Sequence, residues 1–249
     1  MEVEYMTYCC ALRLKDGLVF ISDTRTNAGV DQISVFRKLY TFGKEGDRII
    51  AIQTAGNLAT TQAVIGHLRN QLTLQEEPNI YTLNTMFEVA QHVGRTLRKI
   101  IADVTDDTQE QSNYYCNLLV GGQIGNTEMQ LYHIYPQGNF ICATKDTPFF
   151  QIGESKYGKP ILDRALTYDM PLDEAVRCSL ISFDSTLRSN VSVGMPLDLL
   201  VYRADTLKMP RGKRITQQDE YFQKISRQWS ETLRRGLHEI PKPEEDYLE

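Results

Sequence analysis

The stretch 7–38, TYCCALRLKDGLVFISDTRTNAGVDQISVFRK, constrains the fold of this chain more than any other. Two β-prone runs, 7–14 and 18–22, flank Lys15-Asp16-Gly17, and an Asp-Gly pair between such runs turns a hairpin. Pairing in that hairpin lays Asp23, at the end of the second run, beside the start of the first and close to Thr7. With Lys38 further on, these are the groups that an N-terminal threonine nucleophile uses. A threonine hydroxyl attacks poorly until a base takes its proton. Were Thr7 the first residue of the mature chain, its own α-amine, with a pKa of about 7.7–8.0, would be that base. A nearby lysine ammonium lowers the amine's pKa and favours the ionised hydroxyl, and an aspartate keeps the lysine charged and in place.

A longer pattern surrounds these residues. Thr7, Asp23-Thr24-Arg25, Arg37-Lys38-Leu39-Tyr40 and Ala55-Gly56-Asn57-Leu58-Ala59 resemble the N-terminal Thr, DTR, KKIY-like and AGxxA segments of proteasome β-subunits. The likeness covers most of the chain, and SDTRTNAGVD and TAGNLATTQAV are most similar to the bacterial ancestral β-subunit (Anbu) branch. It implies an α+β fold, the four-layer αββα sandwich of two antiparallel sheets found in N-terminal-nucleophile hydrolases. It implies catalytic roles for Thr7, Asp23 and Lys38, and an oxyanion-holding N–H at Gly56; the alternative is that Gly56 only permits the turn from strand to helix. Thr26, Asn27, Thr54 and Leu58 then line the substrate groove. Asn27 falls where the main chain pairs with a bound peptide, and Thr54 and Leu58 flank the pocket for the side chain before the scissile bond.

Two further segments carry the resemblance with departures. Gly153-Glu154-Ser155 is similar to a Gly-Ser-Gly segment whose serine bonds near the threonine amine; Ser155 is the matching position and Glu154 is unexpected. Arg188-Ser189-Asn190-Val191-Ser192-Val193-Gly194 is similar to an RDxxSGG loop. Ser192 matches, but Ser189 replaces the aspartate and removes an anion expected beside the amine.

Composition narrows the classes. Lys and Arg number 27 against 32 Asp and Glu, a net charge of −5, which argues against a nucleic-acid footprint. No apolar run approaches the roughly 20 residues of a membrane span, and no secretory signal is present, so a cytoplasmic protein is expected. Cys9, Cys10, Cys116, Cys142 and Cys178 lack metal spacing and read as reduced thiols, mostly in the core. His67, His92, His133 and His238 lie far apart, so no zinc site or other cofactor is expected. Without a nucleotide-binding motif, any ATP-driven unfolding would need a separate partner. Residues 1–6 precede Thr7, and Met6 is either the true start, the end of a short propeptide or part of an added segment. While they remain, Thr7 has an amide and no amine.

Along the rest of the chain, a polar loop is expected at 25–35, strands at 39–42 and 48–54, and a helix from an Asn57 N-cap to about Leu74. Leu83, Met86, Phe87, Ala90, Val93 and Leu97 mark a second helix at 82–103, and Asp106, Asp107 and Glu110 a solvated turn. Strands at 113–123, 129–135, 140–142 and 149–152 precede a short helix ending near Thr167, a helix at 172–187, a strand at 198–204 and a helix at 215–240. The divisions are residues 1–6, a β-subunit-like domain at 7–205, and a C-terminal helix with an acidic tail at 206–249. That helix's apolar stripe either covers the domain or meets a neighbouring subunit. Three readings follow: a threonine peptidase cleaving peptides or unfolded proteins inside a homo-oligomeric ring or spiral, an N-terminal-nucleophile amidase or acyltransferase on small amides, and a silent ring scaffold with Thr7 blocked.

Overall fold

The computed structural model describes residues 7–27, 33–105 and 111–247. Asp16 and Gly17 turn the first hairpin as expected: β1 (Tyr8–Leu14) and β2 (Gly17–Ser22) pair in register from Leu14↔Gly17 to Cys9↔Ser22. Both strands are buried along their whole length. Alternate side chains point to opposite faces of a strand, so Tyr8, Cys10, Leu12 and Leu14 enter one core cluster and Cys9 and Ala11 another. Cover on both faces explains why these runs are almost continuously apolar.

Next come β3 (Arg25–Asn27) and β4 (Ile33–Val35), a short antiparallel pair within the expected polar loop. β5 (Leu39–Lys44) and β6 (Arg48–Gly56) lead into α1 (Leu58–Leu74) and α2 (Met86–Val104). Then follow β7 (Cys116–Ile124), β8 (Gln130–Ile134), β9 (Phe140–Cys142) and β10 (Phe149–Gly153). α3 (Lys159–Ala165), α4 (Leu172–Ser189), β11 (Leu197–Arg203), β12 (Lys213–Ile215) and α5 (Glu220–Glu239) complete the order.

Two five-stranded antiparallel sheets result, ordered β10-β1-β2-β11-β12 and β5-β6-β7-β8-β9. Three apolar layers hold them. Phe20, Ile49, Ala51, Leu119, Leu131 and Leu200 fill the space between the sheets. α1 and α2 cover the second sheet through Val64, Leu68, Val89, Val93 and Leu97, and α3, α4 and α5 cover the first through Leu162, Leu180, Phe183, Phe222 and Ile225. This is the αββα sandwich.

Several boundaries differ from the sequence expectation. α2 starts at Met86 and not Thr82, because Thr85 and Glu88 form a reciprocal capping box that satisfies the first N–H groups, while the Thr82 hydroxyl bonds back to Asn79. α5 starts at Glu220 and not at Ile215: Asp219 is its N-cap, accepting from Phe222 N at 2.9 Å, and 213–215 pair with β11 instead. The first half of α5 covers the domain, whereas Leu233, Leu237 and Ile240 remain 54%, 71% and 64% exposed. Cys9, Cys10, Cys116 and Cys178 are buried free thiols and Cys142 is exposed. Among the described residues no helix is long and apolar enough to cross a membrane. The six residues before Thr7 and the expected turn with Asp106, Asp107 and Glu110 lie outside the described residues.

Candidate active site

The hairpin register sets the first contact. With Cys9 opposite Ser22, Asp23 falls opposite Tyr8: Asp23 N donates to Tyr8 O at 3.0 Å, and Tyr8 N donates to Asp23 Oδ1 at 3.1 Å. The carboxylate is thus held one residue from Thr7. Lys38 arrives from the other sheet, directly ahead of β5, and is pinned there by Thr54 N donating to its carbonyl at 3.0 Å. Its Nζ donates to Asp23 Oδ1 at 2.7 Å and to Arg25 O at 2.5 Å. The pair is dry, with side chains 6% and 0% exposed.

Burial pushes the Asp23 carboxyl up to about 6, while Lys38 and the N–H groups of Tyr8 and Gly194 pull it back down. It therefore remains ionised at neutral pH. Gly194 N, 3.3 Å from Asp23 Oδ2, belongs to the loop after α4. Arg25 braces that loop through Nη1 donating to Val191 O at 2.7 Å. Arg25 and Gly194 are site residues that composition and spacing did not mark as such.

Thr7 itself is buried and is fixed through its main chain: Glu154 N donates to Thr7 O at 2.6 Å. Gly153, paired with Tyr8 in the β1–β10 register, has φ +81°, and a Cβ there would stand 2.0 Å from Thr7 O. Only glycine accepts both that backbone region and that approach. Gly153→Ala is therefore expected to destabilise the protein by about 1–3 kcal/mol and to displace Thr7. Urea unfolding checks this; an unchanged midpoint would show that Thr7 O tolerates being moved.

The remaining expected residues divide by position. Gly56 ends β6 in the left-handed region, φ +116°, where a Cβ would lie 2.5 Å from Tyr115 O, and Asn57 caps α1 by accepting from Thr60 N at 2.9 Å. A glycine N–H at the mouth of a helix N-terminus is suited to a developing anion. Thr54 is buried beside β1, its carbonyl accepting from Cys9 Sγ at 3.6 Å, and Leu58 opens α1 half-buried. Thr26 lies on β3 with Oγ1 buried and unpartnered among the described residues; Asn27 ends that strand.

Ser192 donates its hydroxyl to Asn190 Oδ1 at 2.5 Å. Ser155 lies one residue further from Thr7 than Glu154 does, and its carbonyl accepts from Lys159 N at 3.1 Å. Glu154 touches the threonine through its main chain, a bond to Thr7 O that follows from the end of β10 and has no marker in the local sequence. Among the described residues no cluster of His, Cys, Asp or Glu could hold a metal ion.

Comparison with known proteins agrees with this fold. A family model described as proteasome subunit matches residues 5–200. An ancestral β-subunit, Anbu, from Yersinia bercovieri is 50% identical, covering 95% of this chain and 99% of that one, with a TM-score of 0.91. A structure titled as the helical assembly of the Anbu complex from Pseudomonas aeruginosa is 52% identical over 96% of this chain and 99% of that one, with a TM-score of 0.92. A Gly-1 mutant of Anbu from Hyphomicrobium sp. strain MC1 is 46% identical over 96% and 99%, with a TM-score of 0.90. No curated protein matches the chain.

Proposed function

The chain belongs to the proteasome subunit family, where its close likeness is to ancestral β-subunits, and we propose that it is a threonine endopeptidase working in a self-assembled homo-oligomer. The observation that carries this reading is the buried Lys38–Asp23 pair, tied by Asp23 to the amide next to Thr7. An ion pair costs desolvation in such a place. Its return is chemical: an ammonium fixed beside the head of β1.

In the proposed mechanism, Thr7 Oγ attacks the peptide carbonyl while the Thr7 α-amine takes the hydroxyl proton. The Gly56 N–H holds the oxyanion. The amine then passes the proton to the leaving nitrogen, which departs as the peptide amine and leaves an ester on Thr7. Water, deprotonated by the same amine, hydrolyses that ester and restores the hydroxyl. Lys38 keeps the amine unprotonated and stabilises the alkoxide. Thr26, Asn27, Thr54 and Leu58 border the peptide; Thr26 Oγ1, unpartnered among the described residues, gains a hydrogen bond when a peptide binds, which relieves a desolvation penalty of about 1–3 kcal/mol. The exposed Leu233 and Leu237 on α5 and Ile240 at its C-cap favour subunit contacts. The proposed substrates are peptides or unfolded proteins in the cytoplasm, delivered where necessary by a separate ATP-dependent partner.

The free amine is the condition on everything else. Intact mass after exposure to a threonine-directed electrophile tests it: a chain beginning at Thr7 and carrying one adduct is expected. Met1 to Met6 precede Thr7 in the sequence, and this keeps the scaffold reading in view. A native chain that retains them and takes no adduct would support that reading and end the enzymatic one.

The pH dependence follows from Asp23. Below about 6 its carboxyl takes up a proton, the pair with Lys38 is lost, and turnover falls. Peptide hydrolysis measured from pH 5 to 8 should rise in steps, first with Asp23 and then with the α-amine. A flat profile from 5 to 7 would remove Asp23 from the mechanism.

A further inference from the structure

Tyr8 directly follows Thr7, and its side chain is tied into the helical layer that covers the first sheet. The ring is fully buried and stacks on Phe183 of α4, with centroids 4.3 Å apart and planes 24° from parallel. A phenol hydroxyl in such a place costs desolvation unless it is paired. This one is paired twice. Gln151 Nε2 on β10 donates to it at 2.5 Å, and it lies 2.7 Å from Ser182 Oγ on α4.

The protons run one way. Ser182 Oγ donates to Gly158 O at 3.0 Å, which commits its single proton, so the Tyr8 hydroxyl is the donor in the bond to Ser182. Gln151, Tyr8, Ser182 and Gly158 thus form one directed chain from β10 to α4 and the start of α3. Gly158 leaves room for it: a Cβ there would stand 2.4 Å from Ser182 Oγ and 2.5 Å from the Tyr8 hydroxyl. We propose that Tyr8 is a positioning residue for Thr7, its hydroxyl relaying the seat of the α3–α4 layer to the head of β1; this rests on the peptidase reading above.

The main chain of Tyr8 carries both parts of the site. It is bonded covalently to Thr7. Its N donates to Asp23 Oδ1 at 3.1 Å and its carbonyl accepts from Asp23 N at 3.0 Å. The same Oδ1 receives Lys38 Nζ, and on the other side Tyr8 pairs with Gly153. Ladder bonds decide which residue faces which, but N–H···O distances accept a spread of several tenths of an ångström. A stacked ring offers no stop in its own plane. The hydroxyl supplies that stop, because bonds from β10 and α4 hold it in two directions. Reaction demands finer placement than folding does: a misplacement on the order of 1 Å costs about 10²-fold in rate. Losing the hydroxyl therefore keeps the fold and loosens the nucleophile.

The test uses the full-length, processed protein and a peptide β-lactone. Thr7 Oγ attacks its carbonyl, the ring C–O bond breaks, an ester forms on Thr7, and the α-amine passes the hydroxyl proton to the oxygen released. Labelling followed by intact mass against reagent concentration separates the maximal rate constant from the half-saturating concentration. Tyr8→Phe keeps the ring and its stack and removes only the hydroxyl. Ser182→Ala leaves Tyr8 intact and removes its acceptor on α4. Each is expected to lower the maximal rate constant by roughly tenfold, as a shift of about half an ångström would, with half-saturation unchanged. Ile225→Val takes a methyl group from the same core cluster and should lower stability without changing the rate constant. Wild-type rate constants in the folded Tyr8→Phe and Ser182→Ala variants, or a fall shared by Ile225→Val, would overturn the positioning role. A wild type that takes no label would instead overturn the peptidase reading itself.

Discussion

Thr7→Ala is expected to abolish peptide turnover, by about 10³-fold or more, as removal of an attacking hydroxyl does elsewhere, and to leave folding and assembly intact. The two effects separate because Thr7 is held by atoms that alanine retains. Its carbonyl accepts from Glu154 N, and the neighbouring Tyr8 pairs with Gly153 on one side and with Asp23 on the other. A calorimetric scan should place the variant within a few degrees of the wild type. Thr7→Ser, which restores a hydroxyl without the methyl group, should recover measurable cleavage. Wild-type cleavage by the alanine variant would mean that another residue attacks.

Breaking the buried pair is expected to have the largest effect on stability. Lys38→Met leaves the Asp23 carboxylate stranded in a dry site, a loss of about 3–5 kcal/mol, whereas Asp23→Asn, a neutral mimic of the protonated acid, costs less. The double variant Asp23→Asn with Lys38→Met should recover most of this and remain inactive. Urea unfolding of the three variants checks the cycle; additive losses would mean that the pair contributes no coupling.

The pH dependence adds a sign to this prediction. Asp23 ordinarily titrates near 3.8 and is raised to about 6 in the fold, so the folded state holds its proton more tightly than the unfolded chain does. Below about pH 4 the group costs nothing. As pH rises from about 4 to 6 it comes to destabilise the fold, by an amount on the order of 3 kcal/mol, and the cost is constant above. Stability and chemistry thus ask for opposite states of one carboxyl. In the double variant this contribution to the pH slope should vanish.

Part of this site could be read along the chain. The Asp-Gly turn at 16–17 fixes the register that brings Asp23 to Tyr8, because a two-stranded ladder counts residues from its turn. Helical periodicity marked α1, α2 and α4, but their ends are decided by caps: Thr85 with Glu88 took the start of α2 from Thr82. β12 went unread because Lys213-Arg214-Ile215 is mostly polar and pairs only once β11 offers its edge. Lys38 was marked by the ordered Thr-Asp-Lys set and the family likeness, since it sits ahead of a strand of the other sheet, where no local period relates it to Thr7. The contact of Glu154 with Asn190 joins residues 36 apart and arises from closure of a loop over the end of β10. No spacing rule could announce it.

Asp23 directly follows a strand of one sheet and Lys38 directly precedes a strand of the other. A half-folded chain, with either sheet undocked, therefore has a hydroxyl but no ammonium to waken it. Under the proposed mechanism, reactivity therefore requires both sheets to be docked, and the sandwich acts as its own safety catch.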